Sequence, residues 1–339
     1  MATGRVFGAW VDLRTGPSFG TVFTTELDSS RAVFVPRGVG NAFQTLEANT
    51  AYTYLVNDHY SPEATYTSVS LADGTLAIAW PIPLETAELS AKDRAHPSLT
   101  DVVPMLPRKT LVLGANGQLG RALRDVYDDV QYVDFADRAE LDLAADFDQA
   151  FRWREYDTVI NAAAYTAVDS AETPPHGRAA AWATNVVGVA ALARIATAHG
   201  LTLVHISSDY VFDGTTERAY REDDPPAPLG VYGQTKAAGD QIVTTVPRHY
   251  IVRTSWVIGD GPNFVRTILG LAECGVNPSV VDDQFGRLTF ASELAGAIRH
   301  LLETCVPYGV YNVTGSGPVT HGRVSRVGCL RWLVMIRIG

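Results

Sequence analysis

Tyr232 and Lys236, in the stretch "VYGQTK", are the residues whose types and spacing most clearly point to chemistry. On a helix, side chains four positions apart lie on one face. A tyrosine ordinarily keeps its proton up to about pH 10, and a neighbouring ammonium group lowers that pKa. Lysine is rare in this chain, with Lys92 and Lys109 the only others, so a chance match of this spacing is uncommon. The pair therefore predicts a proton donor in an active site.

A hydroxyl group is expected beside this pair. The stretch "HISSDYVFDG" contains Ser207 and Ser208 at the end of an apolar run. Successive residues of a strand face opposite sides, so only one of the two serines should point into the site. We predict that this serine positions a carbonyl oxygen, that a reduced nicotinamide delivers hydride to the carbonyl carbon, and that Tyr232 protonates the oxygen. Lys236 could also hydrogen-bond the nicotinamide ribose.

Three regularly spaced glycines, Gly114, Gly117 and Gly120 in "TLVLGANGQLG", lie between an apolar run and a helical pattern. Side chains there would keep the backbone away from a pyrophosphate and the helix away from the strand, and the free N–H groups of the helix N-terminus favour phosphate. We therefore predict a dinucleotide-binding turn, with Asp134 at the end of the next strand holding the adenosine ribose. Arg138 could receive a 2′-phosphate, so NADPH and NADH both stay open as cofactors.

The elements that must position these residues begin at about residue 110. The apolar runs after the glycine turn are "VQYVDF", "YDTVINAAA", "LTLVHISS", "YIVRTSWVIG" and "PSVVDDQ", with helical patterns between most of them. Continuous apolar strands that alternate with helices are typical of a parallel sheet covered on both faces. We predict an α/β fold, a Rossmann-type doubly wound parallel sheet, for the domain over residues 109–320.

The first 97 residues have a different pattern. Short β-rich runs are separated by turn residues, as in "RVFGAWVDL", "TVFTTEL", "RAVFVPRG", "AYTYLV" and "TLAIAWP". Short strands at close spacing favour a small all-β domain, a sandwich or barrel. The proline-containing segment 98–108 is predicted to be a linker. Residues 321–339, with four arginines and no acidic residue, form an atypical C-terminal tail.

Charge and composition restrict the class of protein. The formal net charge of −10 argues against nucleic acid or an anionic membrane as a partner. We find no signal-peptide pattern and no apolar run long enough to span a bilayer. Three widely spaced cysteines, Cys274, Cys305 and Cys329, fit a reduced compartment better than a disulfide framework. We expect a cytoplasmic enzyme or small-molecule binder.

The motifs of the α/β region resemble the extended short-chain dehydrogenase/reductase family, and within it the dTDP-4-dehydrorhamnose reductases. The resemblance runs from about residue 109 to 317 and rests on "GANGQLG", "NAAAYTAVDSAE", "SSDYVFDG", "VYGQTK", "RTSWVIG" and "DDQFGRLT", in this order. It implies that Ser208, Tyr232 and Lys236 are the catalytic residues.

The same resemblance implies the binding residues. The contacts to the cofactor, NADPH or NADH, would come from Tyr232 and Lys236 and from Gly114, Gly117, Gln118, Leu119, Asp134, Asp142, Leu143, Ala162, Ala163 and Tyr165. The contacts to a dTDP-sugar would come from Thr166, Val168, Tyr210, Trp256 and Asn263. Some family members form a magnesium-bridged dimer through a glutamate of the first helix. Ala122 stands near that position, so we predict no metal site, and magnesium is a doubtful cofactor.

Residues 1–97 resemble the second half of the dTDP-4-dehydrorhamnose 3,5-epimerases, which are β-sandwiches of the cupin type. The resemblance rests on "VDLRTGPSFG", "VFVPRGVGNAFQTLE", "HYSPE" and "LSAKDR". It implies Tyr60 as the acid that reprotonates the sugar and Asp93 as the partner of a catalytic histidine. That histidine would precede residue 5, and Asn41 stands where a histidine is usual. We therefore expect a partial jelly-roll without epimerase activity, and His59 as a solvated surface residue.

From these resemblances we expect an NAD(P)H-dependent reductase that converts the 4-keto group of dTDP-4-dehydro-L-rhamnose to an alcohol, giving dTDP-L-rhamnose. A homodimer or an association with an intact epimerase is a further expectation. Two alternatives stay open. One is another extended short-chain dehydrogenase that acts on nucleotide sugars, an epimerase or a dehydratase. A dehydratase needs an acidic residue beside the hydroxyl, which Asp209 beside Ser208 would supply. The other is a nucleotide-binding remnant without catalysis.

Overall fold

The computed structural model describes residues 2–56, 66–276 and 278–320, together with 322 and 324. The chain divides into two compact units, Met1–Pro107 and Arg108–Gly339. The division falls in the segment 98–108 for which we predict a linker. Apart from residues 322 and 324, the predicted tail 321–339 lies outside the described residues.

The N-terminal unit is a small antiparallel β structure. Within its described residues the strands are β1 (Ala2–Thr3), β2 (Val6–Asp12), β3 (Val22–Leu27), β4 (Val39–Thr45) and β5 (Ala51–Tyr52). β2 pairs with both β3 and β4, and β1 pairs with β5. Val6 and Trp10 of β2 pack with Leu27 of β3 in one apolar cluster. The short helix α1 (Ala91–Arg94) begins after Ser90, whose hydroxyl accepts the N–H of Asp93.

Three of the predicted strands in this unit are wrong or shortened. Residues 31–38 form no strand, and Pro36 in this stretch has no N–H to donate to a neighbouring strand. Residues 75–81 form no strand either, because the Asp73 carboxylate accepts the N–H of Thr75 and stabilises a turn of 3₁₀-helix over Gly74–Leu76. The run that begins at Ala51 is a strand only as far as Tyr52.

The larger unit is built on a parallel sheet of six strands. These are β6 (Lys109–Leu113), β7 (Val133–Ala136), β8 (Tyr156–Asn161), β9 (Thr202–Ser208), β10 (His249–Thr254) and, later in the chain, β14 (Gly309–Asn312). Their order across the sheet is β14-β10-β9-β8-β6-β7. The chain leaves β6 for β7 on one side and returns to β8 on the other, which creates the switch point of a doubly wound fold. The predicted fold class is confirmed.

Helices lie on both faces of this sheet. Their bounds are α2 (Gln118–Val126), α3 (Val168–Ala171), α4 (His176–Trp182), α5 (Val189–His199), α6 (Val231–Val243), α7 (Phe264–Glu273) and α8 (Ala291–Glu303). A π-helical segment, Ala183–Gly188, joins α4 to α5. Short strands complete the described part of the unit: β11 (Val257–Ile258), β12 (Phe285–Gly286), β13 (Thr289–Phe290) and β15 (Val319–Thr320).

The apolar strand residues alternate between two cores. Leu111 and Leu113 of β6 belong to the cluster that includes Leu192 of α5, whereas Val112 belongs to the cluster that includes Leu123 of α2 and Leu294 of α8. Burying one such aliphatic side chain stabilises the fold by about 1.5–3 kcal/mol. Because both faces are buried, the strands read as continuous apolar runs.

The predicted strand "PSVVDDQ" is not formed, and residues 278–284 have no regular structure. The sixth strand is β14, which pairs with β10 from Tyr250 to Arg253. The helical stretch His176–His199 is long and apolar enough to cross a membrane by length and composition. Its residues Val189, Leu192 and Ile195 pack into the core beside the sheet, as expected for a core helix.

Candidate active site

A cleft of about 1000 Å³ opens in the larger unit at the carboxyl ends of β6, β8 and β9. Ligands of doubly wound folds bind in this position, beside the switch point. Nearly all the site residues predicted for the reductase region line it, namely Gly114, Gly117, Gln118, Leu119, Asp142, Leu143, Ala162, Ala163, Tyr165, Thr166, Val168, Ser208, Tyr210, Tyr232, Lys236, Trp256 and Asn263. Gly120 and Asp134 do not line it.

The glycine turn has the geometry that a dinucleotide requires. Gly114 has a φ of +79°, and a Cβ on it would lie 2.8 Å from the backbone nitrogen of Ala163. Gly120 lies behind the turn, where a Cβ would meet the carbonyl oxygen of Gly114 at 2.2 Å. α2 begins after Gly117 without a side-chain cap, so its first N–H groups are available to an anion. The turn therefore fits a pyrophosphate.

Tyr232 and Lys236 lie on α6, as the spacing predicts. The helix begins at Val231, whose N–H is accepted by the Glu172 carboxylate at 2.6 Å. Both predicted catalytic side chains are buried, and Lys236 is only 1% exposed. The ring of Tyr210 packs edge-on against that of Tyr232, with 5.6 Å between centroids.

The two serines of β9 have different neighbours. Ser208 Oγ donates to Asp209 Oδ1 at 3.1 Å and accepts the N–H of Tyr210 at 3.2 Å. Ser208 also lies close enough to Tyr232 to lower the pKa of its phenol. Ser207 instead lies beside Asp240, and its hydroxyl lowers the pKa of that carboxyl, which burial raises. Both serines line the cleft, and Ser208 is the one that affects the pKa of Tyr232.

The electrostatics differ from the simple expectation that Lys236 lowers the pKa of Tyr232. Burial raises the pKa of the Tyr232 phenol, and the neighbouring Ser208 hydroxyl only partly opposes this. Burial also lowers the pKa of Lys236 to about 8, against the attraction of Asp240. Lys236 is not among the groups that shift the pKa of Tyr232, and its Nζ donates to the carbonyl oxygen of Ile206 at 2.6 Å. Tyr232 is thus held in its protonated form.

Asp134 is not where the sequence analysis placed it. It is the second residue of β7, which continues to Ala136, so its side chain lies away from the carboxyl end. Its carboxylate accepts hydrogen bonds from Tyr156 at 2.6 Å and Lys109 at 3.1 Å. These two residues begin β8 and β6, at the end of the sheet away from the cleft. Among the polar residues that follow β7, Arg138 lines the cleft. The prediction that Asp134 contacts the adenosine ribose finds no support in this geometry.

The predicted substrate residues belong to three segments of the cleft wall. Thr166 and Val168 lead into α3, Tyr210 follows β9, and Trp256 and Asn263 lie between β10 and α7. Asn263 caps α7 by accepting the N–H of Arg266 at 3.0 Å, and its side-chain nitrogen approaches Gln118 of α2. Trp256 has a φ of +28° and lies against Gly286, where a Cβ would meet its ring at 2.4 Å.

Sequence reasoning missed several buried polar residues of this site. Asn185 binds the backbone of Tyr165 at 2.9 and 3.1 Å and the hydroxyl of Thr235 at 3.0 Å, which ties the cleft wall to α6. Ser255 donates a hydrogen bond to the Asp209 carboxylate, and burial raises the pKa of that carboxyl. A single asparagine inside the apolar helix "AWATNVVGVA" was the one available signal for Asn185.

The epimerase-like residues are only partly described. Asp93 lines a second cleft, of about 590 Å³ in the N-terminal unit, together with Asn41 and His96. Its carboxylate accepts the Ser90 hydroxyl at 2.6 Å. Tyr60 and His59 lie outside the described residues. In the described part of the chain, no three His, Cys, Asp or Glu side chains are grouped as metal ligands.

A doubly wound sheet with a glycine turn after its first strand, and with Ser208, Tyr232 and Lys236 on β9 and α6, defines a dehydrogenase or reductase of the short-chain class. Residues 108–327 match the model of the RmlD substrate binding domain family, and residues 1–101 match that of dTDP-4-dehydrorhamnose 3,5-epimerase. The chain belongs to the RmlD family, the nicotinamide-dependent oxidoreductases to which the dTDP-4-dehydrorhamnose reductases belong.

Individual relatives agree with this membership. The dTDP-4-dehydrorhamnose reductase of Aggregatibacter actinomycetemcomitans is 40% identical over 219 residues, which are 61% of this chain and 73% of the relative. A solved dTDP-4-dehydrorhamnose reductase of Clostridium acetobutylicum superposes with a TM-score of 0.61 at 34% identity, over 65% of this chain and 79% of that one. The dTDP-4-dehydrorhamnose reductase of Bacillus anthracis, solved in complex with NADP, superposes with a TM-score of 0.61 at 33% identity. The match covers 68% of this chain and 82% of that one.

Proposed function

We propose that the larger unit reduces the 4-keto group of dTDP-4-dehydro-L-rhamnose to give dTDP-L-rhamnose. The observation that carries the proposal is the convergence of Ser208, Tyr232 and Lys236 on one cleft whose other end is the glycine turn at Gly114. Relatives of the same family are named for this reaction.

When bound in the cleft, NADPH or NADH would supply the hydride that the carbonyl carbon takes up. Ser208 hydrogen-bonds the carbonyl oxygen once its hydroxyl turns from Asp209 toward the substrate, and Tyr232 gives its proton to the oxygen as charge develops there. The raised pKa of Tyr232 suits this role because the phenol stays protonated at neutral pH. Lys236, one turn later on α6, would contact the nicotinamide ribose and restore the proton of Tyr232.

For the binding residues, we propose a division of the cleft at Tyr232. On one side the cofactor is held by the glycine turn with Gln118 and Leu119, by Asp142 and Leu143, and by Ala162, Ala163 and Tyr165. On the other side Thr166, Val168, Tyr210, Trp256 and Asn263 surround the sugar nucleotide. Arg138 lines the cofactor side and Asp134 does not, so NADPH should be preferred over NADH, because a guanidinium pairs with a 2′-phosphate.

The test supplies the keto-sugar nucleotide, a separate intact epimerase and NADPH, and follows the loss of reduced-nicotinamide absorbance. We expect turnover by the wild type and a loss of at least a hundredfold in Tyr232→Phe, which removes one hydroxyl from the site. Tyr250→Phe is the matched control, since Tyr250 lies in the core and its hydroxyl binds the Val306 carbonyl at 2.7 Å. Cofactor binding without turnover in the wild type would contradict the proposal.

We also propose that the N-terminal unit has no epimerase activity. Asn41, which lines its cleft, stands where the family that this unit resembles usually has a histidine, and an amide cannot abstract a proton. Omitting the added epimerase from the same assay tests this, because turnover should then cease. Continued turnover would contradict the proposal, and loss of that turnover in Asp93→Asn would locate the activity in this cleft.

We propose a cytoplasmic location, and association either with a second copy or with an intact epimerase. β3 and β4 are the outer strands of the N-terminal sheet and offer edges for pairing. Light scattering at micromolar concentration, alone and with the epimerase, distinguishes these forms from a monomer.

A further inference from the structure

The side chain of Glu172 holds the start of α6 from a distant part of the chain. Glu172 directly follows α3, and its Oε1 accepts the backbone N–H of Val231, 59 positions later, at 2.6 Å. The helix begins after Gly230, which has no side chain to cap it. Since the first N–H groups of a helix have no partner within the helix, the Glu172 carboxylate supplies an acceptor that the local sequence lacks.

Gly230 leaves room for this carboxylate. A Cβ on Gly230 would lie 2.8 Å from Glu172 Oε1, and in the described part of the chain no other residue beyond its two chain neighbours comes within 4 Å of that Cβ. The φ of Gly230 is −103°, which any residue adopts. An alanine at position 230 would therefore push the carboxylate away and disturb little else.

Tyr232, the proposed proton donor, is the second residue of α6. It packs in one apolar cluster with Ala171, the residue before Glu172. The same short helix α3 includes Val168, which lines the cleft together with Thr166. One end of α3 thus contacts the helix of the proton donor, and the other end contributes to the proposed substrate side of the cleft.

We infer that Glu172 is a positioning residue: by accepting the Val231 N–H, its carboxylate fixes the Tyr232 hydroxyl against the wall of the cleft that binds the sugar. This use of the contact rests on the proposed function. Glu172 does not line the cleft, so it acts through α6 and not on the substrate. Its negative charge suits the place, because the N-terminus of a helix carries a partial positive charge. A misplacement of about 1 Å in a reacting group can lower the rate by about a hundredfold.

The experiment measures kcat and KM of the full chain, with kcat expressed per NADPH-binding site so that unfolded protein does not count. Glu172→Ala removes the acceptor, and we expect kcat to fall by about tenfold or more while KM for NADPH stays within about twofold. Glu172→Gln keeps an acceptor oxygen and should retain kcat within about twofold of wild type. Glu293→Ala is the matched control: Glu293 is an acidic residue in the first turn of α8 that does not line the cleft, so kcat should be unchanged.

Gly230→Ala disturbs the same contact from the other side. It should lower kcat as much as Glu172→Ala does, and the double variant should lose no more than either single variant, because both changes break one hydrogen bond. Losses that multiply would overturn the inference. Full activity in Glu172→Ala would also overturn it, as would equal losses in Glu172→Gln and Glu172→Ala.

A second measurement is independent of turnover. With ¹³C in the tyrosine rings, the Tyr232 signal is assigned among the 14 tyrosines by its absence in Tyr232→Phe. It should shift in Glu172→Ala and Gly230→Ala and keep its position in Glu172→Gln. An unchanged signal in both alanine variants would refute the positioning of Tyr232. A wild type whose signal responds as expected, but which does not reduce the keto-sugar, would refute only the proposed function.

Discussion

The side-chain oxygen of Gln118 and the side-chain nitrogen of Asn263 lie 3.2 Å apart, which joins the start of α2 to the segment before α7. The same oxygen of Gln118 accepts the N–H of Gly259 at 2.8 Å. The first residue of the helix that follows the glycine turn thus holds the segment that we propose to bind the sugar nucleotide. One residue positions both halves of the cleft.

Replacing Gln118 tests this link. Gln118→Ala removes the acceptor of two hydrogen bonds and should lower the free energy of unfolding by about 1–3 kcal/mol, at 0.5–1.5 kcal/mol for each. Gln118→Glu keeps an acceptor oxygen and adds a negative charge at a helix N-terminus, where it is tolerated. Urea denaturation should therefore separate the two variants. Equal destabilisation would show that the hydrogen bonds do not hold the segment.

Gly120 should tolerate no side chain. The Cβ of Gly120→Ala would lie 2.2 Å from the Gly114 carbonyl oxygen, so α2 must move away from the turn that receives the pyrophosphate. We expect at least a tenfold loss of NADPH affinity, about 1.4 kcal/mol, in a fluorescence titration. Gly296→Ala is the control: Gly296 is an exposed residue of α8 with open space around its Cβ position, and alanine there should leave NADPH binding unchanged.

Replacing Asp134 should leave cofactor binding unchanged, whereas replacing Arg138 should weaken the binding of NADPH. Asp134→Asn alters a carboxylate that is engaged by Tyr156 and Lys109, away from the cleft, so the affinities for NADPH and NADH should stay within about twofold of wild type. Arg138→Ala should weaken NADPH by about tenfold and leave NADH unchanged, since only NADPH has the 2′-phosphate. A loss of NADH affinity in Asp134→Asn would restore the original prediction for this residue.

The stability contributed at Asp209 should depend on pH. Burial raises the pKa of this carboxyl above that of the unfolded chain, about 3.9. Between those two values the folded state binds more protons, so the free energy of unfolding of the wild type falls as pH rises through this window. Asp209→Asn does not titrate, so its stability relative to wild type should increase with pH above about 4 in urea denaturation.

Asp213→Asn provides the opposite case for comparison. The Tyr220 hydroxyl, 2.6 Å away, holds the pKa of the Asp213 carboxyl below its usual value. The stability from this group is complete above the unfolded pKa and is lost as pH falls through the folded one. The variant should therefore be less stable than wild type at neutral pH and approach it in acid. Parallel pH curves for both variants would contradict both assignments.

Features that depend on local spacing could be predicted from the sequence. The four-residue interval between Tyr232 and Lys236 places them on one helix face wherever that helix packs. The role of the three glycines could be predicted because it depends only on the backbone within a few residues of the turn. The parallel sheet could be predicted because strands buried on both faces must be continuously apolar, and Leu111, Val112 and Leu113 of β6 show this directly.

Features that depend on where an element ends, or on what lies across from it, were decided by the tertiary structure. Asp134 was misplaced because β7 continues two residues further, to Ala136, and Lys109 and Tyr156 engage its carboxylate. The run "PSVVDDQ" forms no strand, and β14 takes the place beside β10 instead. A strand forms only where a neighbouring strand supplies hydrogen-bond partners. Burial raises the pKa of Tyr232, whereas the sequence predicted a lowered pKa. The spacing of residues along the chain does not show how far a side chain is removed from water.

The buried polar side chains near the cleft could not be predicted from the sequence for the same reason. Asn161, His205 and Lys236 are separated by 44 and 31 positions, yet their side chains form one hydrogen-bonded series. The residue types and the local helix spacing belong to the sequence alone. Which atoms donate, which accept and which group keeps its proton follow only when β8, β9 and α6 pack together and exclude water.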